Sequence, residues 1–215
     1  MTPDWRAWHA PYADPTSTLS RRLAVVQESL ASALDRAPDG PLRLVSACAG
    51  QGHDAIGVLS GHPRADDVSA VLVEYDADNA AAARAAASAA GLDRVHVVTG
   101  DAGLSDAYAG AVPADMLLMC GVFGNVPDAD VERTVRALPS LCAPGATVIW
   151  TRHRGAPDLT PAIRGWFAES GFAEQAFVAP DDVLFSVGTH VLTGTPAPFS
   201  PGVRLFAFDR EFAGG

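Results

Sequence analysis

The chain has 215 residues, of which 48% are hydrophobic and 19% are charged. This composition supplies enough apolar surface for a folded core, so it excludes an intrinsically disordered chain, and the length favours a single domain. The formal net charge of −10 argues against partners that attract basic faces, namely nucleic acids and anionic membrane surfaces.

The three cysteines, Cys48, Cys120 and Cys142, are far apart and form no C-x-x-C pair. This spacing favours neither a disulfide framework nor a zinc site, so we expect no metal and a reducing, cytoplasmic environment. The first residues show no basic segment followed by an apolar run, and we therefore expect no signal peptide. The frequent alanine, arginine and aspartate residues are typical of a GC-rich bacterial genome.

The N-terminal part, residues 1–40, is expected to form a lid followed by a helix. Residues 1–16 are irregular and rich in rings, which come from Trp5, Trp8, His9 and Tyr12. The run Thr16-Ser17-Thr18 can cap a helix from about Leu19 to Arg36, because apolar residues recur there every three to four positions.

From Leu42 onward, short apolar runs alternate with helical stretches. The predicted strands are Leu42–Ala47, Val68–Val73, Val95–Val98, Met116–Met119 and Thr147–Thr151. The predicted helices are Asp54–Leu59, Asp78–Ala90, Asp128–Leu141 and Pro161–Ser170. Three further strands, with no long helix between them, are predicted at Phe172–Val178, Phe185–Leu192 and Arg204–Phe208. This order predicts an α/β fold with a doubly wound, mostly parallel sheet and an antiparallel C-terminal edge.

A glycine turn follows the first predicted strand. Gly50 and Gly52 stand between this strand and the helix that begins near Asp54. Glycines let the backbone approach a ligand closely, and a helix N-terminus offers unpaired N–H groups. An ordinary strand-to-helix turn explains this short pattern equally well.

Two acids end the next two strands. Glu74 follows the second strand and Asp101 follows the third. Because the carboxyl ends of parallel strands meet at one sheet edge, both carboxylates are expected beside the glycine turn, where Glu74 can accept hydrogen bonds from ribose hydroxyls and Asp101 from an exocyclic amine. A helix cap is the alternative for Glu74, although Asp76 or Asp78 suits that role better, and a solvated turn is the alternative for Asp101.

This set of strand ends resembles the class I S-adenosylmethionine (SAM)-dependent methyltransferases over residues 42–151. The resemblance implies one Rossmann-like domain over residues 1–215, with the cofactor-binding core at 41–155 and a helix and antiparallel strands at 156–215. It also implies SAM as the cofactor. The implied cofactor-binding residues are Ser46, Cys48, Gly50, Gly52, Glu74, Tyr75, Asp101, Ala102, Cys120 and Gly121.

The chain departs from the family pattern at two positions. Ser46 stands where the family usually has an acid, and Cys48 stands where it has a further glycine. The methionine end of the cofactor is therefore expected to need other residues, for example from the N-terminal segment, and Arg21 or Arg22 can reach its carboxylate if the first helix packs across the site.

The absence of an acid at residue 46 also motivates a second hypothesis, a non-catalytic SAM-binding protein. A third is a nicotinamide-dependent oxidoreductase, since Gly50-x-Gly52 followed by Ala55 is an allowed variant of the dinucleotide fingerprint.

The acceptor is expected over the ends of the fourth and fifth strands. The resemblance implies methyl transfer to a nitrogen, oxygen or carbon atom of a small molecule, with no nucleic-acid or membrane partner and with a homodimer left open. Candidate catalytic residues are His153, as a general base, and Asn125; candidate substrate-binding residues are Tyr12, Phe123, Arg152 and Arg154. Structural roles are the alternatives for all of them, and His190 is interpreted as structural.

Overall fold

The computed structural model describes Tyr12 and residues 14–208. The lid residues Trp5, Trp8 and His9 lie outside this part of the chain, so their predicted role is not tested. A seven-stranded sheet forms the centre of the molecule. In order across the sheet, its strands are β3 (Val95–Thr99), β2 (Val68–Glu74), β1 (Leu42–Ala47), β4 (Ala114–Met119), β5 (Cys142–His153), β7 (Phe185–Leu192) and β6 (Phe172–Val178). The first five strands run parallel to one another, whereas β7 is antiparallel to both β5 and β6. The predicted α/β class, parallel sheet and antiparallel C-terminal edge are therefore confirmed.

Most element bounds lie within one or two residues of the prediction. The described helices are α1 (Thr18–Arg36), α2 (Ala55–Leu59), α3 (Ala77–Ala89), α4 (Asp128–Ala137) and α5 (Thr160–Glu169). The fourth predicted helix was too long, because α4 gives way to a 3-10 turn at Leu138–Ser140. None of the helices in the described part is long and apolar enough to cross a membrane.

Two apolar layers bury the two faces of the sheet. Residues of α1, α2 and α3 pack on one face against β1, β2 and β4. Residues of α4 and α5 pack on the other face, mainly against β4 and β5. The helix after β1 and the helix after β4 thus lie on opposite faces. The strand order reverses between β1 and β4, and in sheets of this kind ligands bind beyond the carboxyl ends of the strands at such a point.

Helix α1 is fixed at its start and along its apolar face. Ser17 is its N-cap, and the Ser17 hydroxyl accepts a hydrogen bond from the Ser20 N–H. The buried residues Val26, Leu30, Ala33 and Leu34 recur at helical spacing. The side chain of Gln27 donates to the His53 carbonyl at 2.8 Å, which ties α1 to the turn before α2.

One predicted strand is wrong. Residues Arg204–Phe208 do not form a strand, and within the described residues their only strand-like pairing is an isolated bridge between Arg204 and Leu104. Leu205 and Phe206 are both buried although they are neighbours, so the segment lacks the alternation that a half-buried strand needs. It instead follows the surface from the loop after β3 to α4.

A buried histidine joins the antiparallel edge to the core. His190 on β7 accepts a hydrogen bond from the Trp150 Nε1–H at its Nδ1 atom and stacks on Phe167 at 4.3 Å between ring centroids. Burial lowers the pKa of His190 to about 4, and this effect exceeds the opposing influence of Glu174, whose carboxylate lies 3.6 Å from Nε2. The interpretation of His190 as a structural residue agrees with this environment.

We expect the free energy of unfolding to fall as the pH is lowered from about 6.5 to about 4. In this range the unfolded chain protonates His190 while the folded chain keeps it neutral, so protons favour the unfolded state. The difference between these two pKa values corresponds to about 3 kcal/mol in the free energy of unfolding. Urea unfolding of the wild type and of His190→Gln measures this contribution, because glutamine can still accept from Trp150 but does not titrate. Parallel pH profiles for the two proteins would contradict the assignment.

Candidate functional site

The ends of β1, β2 and β3 meet at one edge of the sheet. The Gly50 N–H donates to Oε2 of Glu74 at 2.7 Å, and the Asp76 N–H donates to its Oε1 at 2.8 Å. The Gly100 N–H donates to the Glu74 carbonyl at 2.9 Å, which brings Asp101 next to this group. Asp76 caps α3, so Glu74 does not serve as that cap. The glycine turn and the two acids are therefore neighbours, with Glu74 at the centre.

The loop after β1 has the backbone shape of a glycine-rich turn. Gly50 and Gly52 have positive φ values of 56° and 77°, and Cys48 has a φ of 53°. A Cβ atom on Gly52 would lie 2.5 Å from the Cδ1 atom of Ile56, so no side chain fits there without displacement. The position where the family has a further glycine thus keeps a left-handed backbone although a cysteine occupies it.

Cys48→Val should destabilise the protein by about 1–3 kcal/mol, because a β-branched residue is strained at positive φ. The matched control is Cys142→Val, since Cys142 is buried in strand β5, where β-branched residues are favoured. Thermal or urea unfolding of both variants measures the difference. If the two variants lost the same stability, backbone strain at residue 48 would not be the cause.

Ser46 is a buried polar group at the end of β1. Its side chain is 1% exposed, and its hydroxyl has no hydrogen-bond partner among the described residues. Buried hydroxyls in folded proteins are nearly always paired, because an unpaired one costs about 1–3 kcal/mol. The site therefore holds an orphaned polar atom where the family has its first acid, which fits a bound polar group.

The N-terminus of α2 gathers charged and polar groups from three parts of the chain. Burial raises the pKa of Asp54, whose Oδ1 accepts from the Ala55 N–H at 2.7 Å. Arg22 from α1 interacts electrostatically with Asp54 and with Cys120, and its side chain hydrogen-bonds Tyr12. The Tyr12 ring lies 4.8 Å from the His53 ring between centroids. A carboxyl group from the start of α2 and a guanidinium from α1 thus interact near the end of β1.

An exposed ring, Tyr75, lies at the end of β2, and a hydrogen-bonded carboxylate, Asp101, lies after β3. Tyr75 is 77% exposed, so its ring is free to contact a planar group beside Glu74. Asp101 accepts from the Gly103 N–H at its Oδ1 and from Arg204 at its Oδ2, at 2.8 and 2.6 Å. The side chain of Ala102 is buried in the core.

Two hydrogen bonds hold the loop after β4. The Gly121 N–H donates to the Thr151 hydroxyl at 2.9 Å, and the Asn125 amide donates to the Gly121 carbonyl at 2.7 Å. Asn125 does not cap α4, whose N-cap is Pro127. Burial raises the pKa of the Cys120 thiol well above its usual value, so the thiol stays protonated. Asn125 thus shapes the loop that carries Cys120 and Gly121.

The arginine pair and Phe123 have structural partners. The Arg152 guanidinium donates to the Phe123 carbonyl and to Asp128, and the Arg154 guanidinium donates to the Pro180, Val183 and Phe185 carbonyls. Phe123 is fully buried and packs on Trp150 at 6.0 Å. Neither arginine is poised as a free clamp, and the Phe123 ring presents no surface to a substrate in this structure.

His153 is exposed at the end of β5, and its Nδ1 accepts a hydrogen bond from the Gly155 N–H at 2.9 Å. A neutral imidazole that accepts at Nδ1 carries its proton on Nε2. A general-base role for His153 therefore requires the Gly155 contact to break. The role stays a prediction, but the local geometry does not support it.

Two groups at the site were not assigned to it from the sequence. Asp54 was predicted only as a helix start, although an aspartate directly after a glycine turn is a recognisable signal. Arg204 lies 103 residues from Asp101, and its segment was predicted to be a strand. The hypothesis that Arg22 binds the cofactor carboxylate is consistent with its electrostatic interaction with Asp54.

No protein-family model and no curated protein sequence matches the chain significantly. Solved structures do match its fold. An O-methyltransferase family protein from Burkholderia thailandensis aligns with a TM-score of 0.67 and 17% identity over 90% of this chain. The CurJ carbon methyltransferase aligns with a TM-score of 0.68 and 14% identity over 87% of this chain. The chain spans only 61% and 58% of the length of these two proteins.

A third match has nearly the same length as this chain. Magnesium protoporphyrin IX methyltransferase from Synechocystis PCC 6803, solved with bound SAM, aligns with a TM-score of 0.65 and 14% identity. The alignment covers 87% of this chain and 90% of that protein. Because the identities are low, the similarity concerns the fold. The chain has the fold of the class I SAM-dependent methyltransferases.

Proposed function

We propose that this protein transfers a methyl group from SAM to a nitrogen, oxygen or carbon atom of a small molecule. The observation that carries the proposal is the contact between the glycine loop and the β2 acid, with the β3 acid beside them. An adenosine needs these groups together, because its ribose offers two hydroxyl donors and its base offers an amine donor. Methyltransferases among the structures with this fold support the same activity.

The residues at the sheet edge match the parts of the cofactor in turn. Glu74 can accept the ribose hydroxyls, since each carboxylate oxygen keeps a second lone pair beyond its backbone contact. Tyr75 can lie against the adenine, and Asp101 can accept from its amine. The loop from Cys48 to Gly52 has the left-handed backbone of a glycine-rich turn, which can bring backbone N–H groups close to the ligand.

The methionine end of SAM carries one positive and one negative group. The hydroxyl of Ser46 and the carboxylate of Asp54 can accept from the ammonium group, and the guanidinium of Arg22 can pair with the carboxylate. This division of charge gives a physical substitute for the acid that the chain lacks at residue 46.

The cofactor supplies a methyl group that its sulfonium already activates, so the chain's residues need to align the acceptor and exclude water. An acceptor held in line with this methyl group would form the new bond as the carbon–sulfur bond breaks, and the proton of an N–H or O–H acceptor would pass to water. The loop at Gly121, braced by Asn125 and Thr151, lies at the end of β4 where the acceptor would approach. The acidic net charge and Tyr12 over the α2 N-terminus favour a small acceptor over a nucleic acid.

Calorimetric titration tests the proposal with three ligands: SAM, S-adenosylhomocysteine and NADH. We expect the first two to bind at one site with micromolar or tighter affinity and NADH not to compete. Incubation of the protein with labelled SAM and a panel of small amines, phenols and activated carbon acids then measures methyl transfer. Preferential binding of NADH would contradict the proposal and favour an oxidoreductase.

A second function is favoured by two departures from the family pattern. The first-motif acid is replaced by Ser46, whose hydroxyl has no partner among the described residues, and the next family glycine is Cys48. A non-catalytic SAM-binding protein would tolerate both changes. Binding of SAM without transfer to any acceptor in the panel would favour this second function.

A further inference from the structure

The C-terminal segment from Ser200 to Phe208, called the strap below, is bound firmly to the loop after β3. The Leu205 N–H donates to the Gly103 carbonyl at 2.8 Å, and the Ser105 N–H donates to the Val203 carbonyl at 3.0 Å. The Ser105 hydroxyl donates to the Ser200 carbonyl at 2.9 Å. A Cβ atom on Gly103 would lie 2.1 Å from the Phe206 carbonyl oxygen, so the two backbones are in direct contact.

Helix α4 holds the strap from the other side. Arg133 donates to the carbonyls of Arg204 and Leu205, each at 3.1 Å, and the Thr134 hydroxyl donates to the Leu205 carbonyl at 2.9 Å. The Ala207 N–H donates to Asp130 at 2.8 Å. Because Leu205 and Phe206 are buried, the backbone of the strap is fixed at the position of Arg204.

Arg204 uses this fixed position to hold Asp101. Its NH1 atom lies 2.6 Å from Oδ2 of Asp101, while the Gly103 N–H occupies Oδ1. The two side chains are 44% and 42% exposed, and an ion pair in such a setting adds little to stability. The ion pair instead fixes the orientation of the Asp101 carboxylate, because a carboxylate with a donor on each oxygen cannot rotate freely.

We propose that Arg204 is a positioning residue that fixes the Asp101 carboxylate for the 6-amino group of the cofactor's adenine, and that it thereby sets the preference for adenine. This inference rests on the proposed function. An ionised carboxylate only accepts hydrogen bonds, so a fixed Asp101 favours a base with an amine donor and opposes one with a carbonyl oxygen at the same place. A mobile carboxylate can turn away from the carbonyl, and the preference then weakens.

The test compares affinities for S-adenosylhomocysteine and S-inosylhomocysteine, which carries an oxygen in place of the 6-amino group. We expect the wild type to prefer the adenosine compound and Arg204→Ala to lower that preference about 10-fold, as the loss of one well-placed hydrogen bond would. Arg204→Lys, which keeps the charge, should retain part of the preference. Arg136→Ala is the matched control, because it removes ion pairs of similar exposure on α4 that involve neither the strap nor Asp101, and it should leave the ratio unchanged.

Three results would overturn the inference. They are an unchanged ratio in Arg204→Ala and Arg204→Lys, an equal loss of preference in Arg136→Ala, and a wild type that binds both compounds equally. Each of them leaves the proposed function intact, since S-adenosylhomocysteine still binds. A wild type that binds neither compound would instead remove the proposed function, and this inference would fall with it.

Discussion

Replacing Glu74 with glutamine should lower the affinity for S-adenosylhomocysteine about 10- to 100-fold. In the wild type, the two carboxylate oxygens accept from the N–H groups of Gly50 and Asp76. Glutamine offers one oxygen and one NH2 group, so one of these backbone donors would face another donor. The charged acceptor for the ribose would be lost at the same time, and the glycine loop would lose its anchor.

Calorimetry measures this change, and circular dichroism checks that the variant keeps its fold. The matched control is Glu28→Gln, which makes the same substitution at an exposed position on α1. The control should bind as the wild type does. Equal affinity in Glu74→Gln and the wild type would remove Glu74 from the ribose site.

Gly188→Ala should destabilise the protein by about 3 kcal/mol, because the packed core leaves no space for the added methyl group. A Cβ atom at residue 188 would lie 2.3 Å from the ring of Trp150. That ring cannot move aside easily, since it is fully buried, stacks on Phe167 at 5.9 Å and donates to His190 at 3.1 Å.

The matched control is Gly165→Ala, a change at a position in α5 where an added Cβ meets no atom within 4 Å. Alanine favours a helix over glycine, so this variant should gain about 0.5–1 kcal/mol. Urea unfolding measures both variants. A loss below about 0.5 kcal/mol in Gly188→Ala would mean that the Trp150 ring is not confined as the structure indicates.

The fold could be predicted because it depends on local patterns. Strands β1, β6 and β7 were predicted to the residue, since apolar runs and glycine or proline turns mark their ends. The failure at Arg204–Phe208 has a physical cause. The strap is held by hydrogen bonds to distant loops and to α4, and no local period encodes such contacts.

The candidate site could be predicted where it follows from topology. Gly50, Glu74 and Asp101 end neighbouring parallel strands, so the strand order alone brings them to one edge. The side chains around them could not be predicted in the same way. The spacing of Arg152 and Arg154 suggests a pair that binds an anion. In the structure, their guanidinium groups instead donate hydrogen bonds to backbone carbonyls of distant segments. Arg22 interacts electrostatically with Asp54 because α1 packs beside α2, an arrangement that the sequence allows but does not require.

A crystal structure of the protein with S-adenosylhomocysteine tests the central claim most directly. The account predicts the ribose on Glu74, the adenine between Tyr75 and Asp101, and the amino-acid end beside Ser46, Asp54 and Arg22. Ligand density at another surface, or crystals that stay free of ligand at saturating concentration, would contradict it.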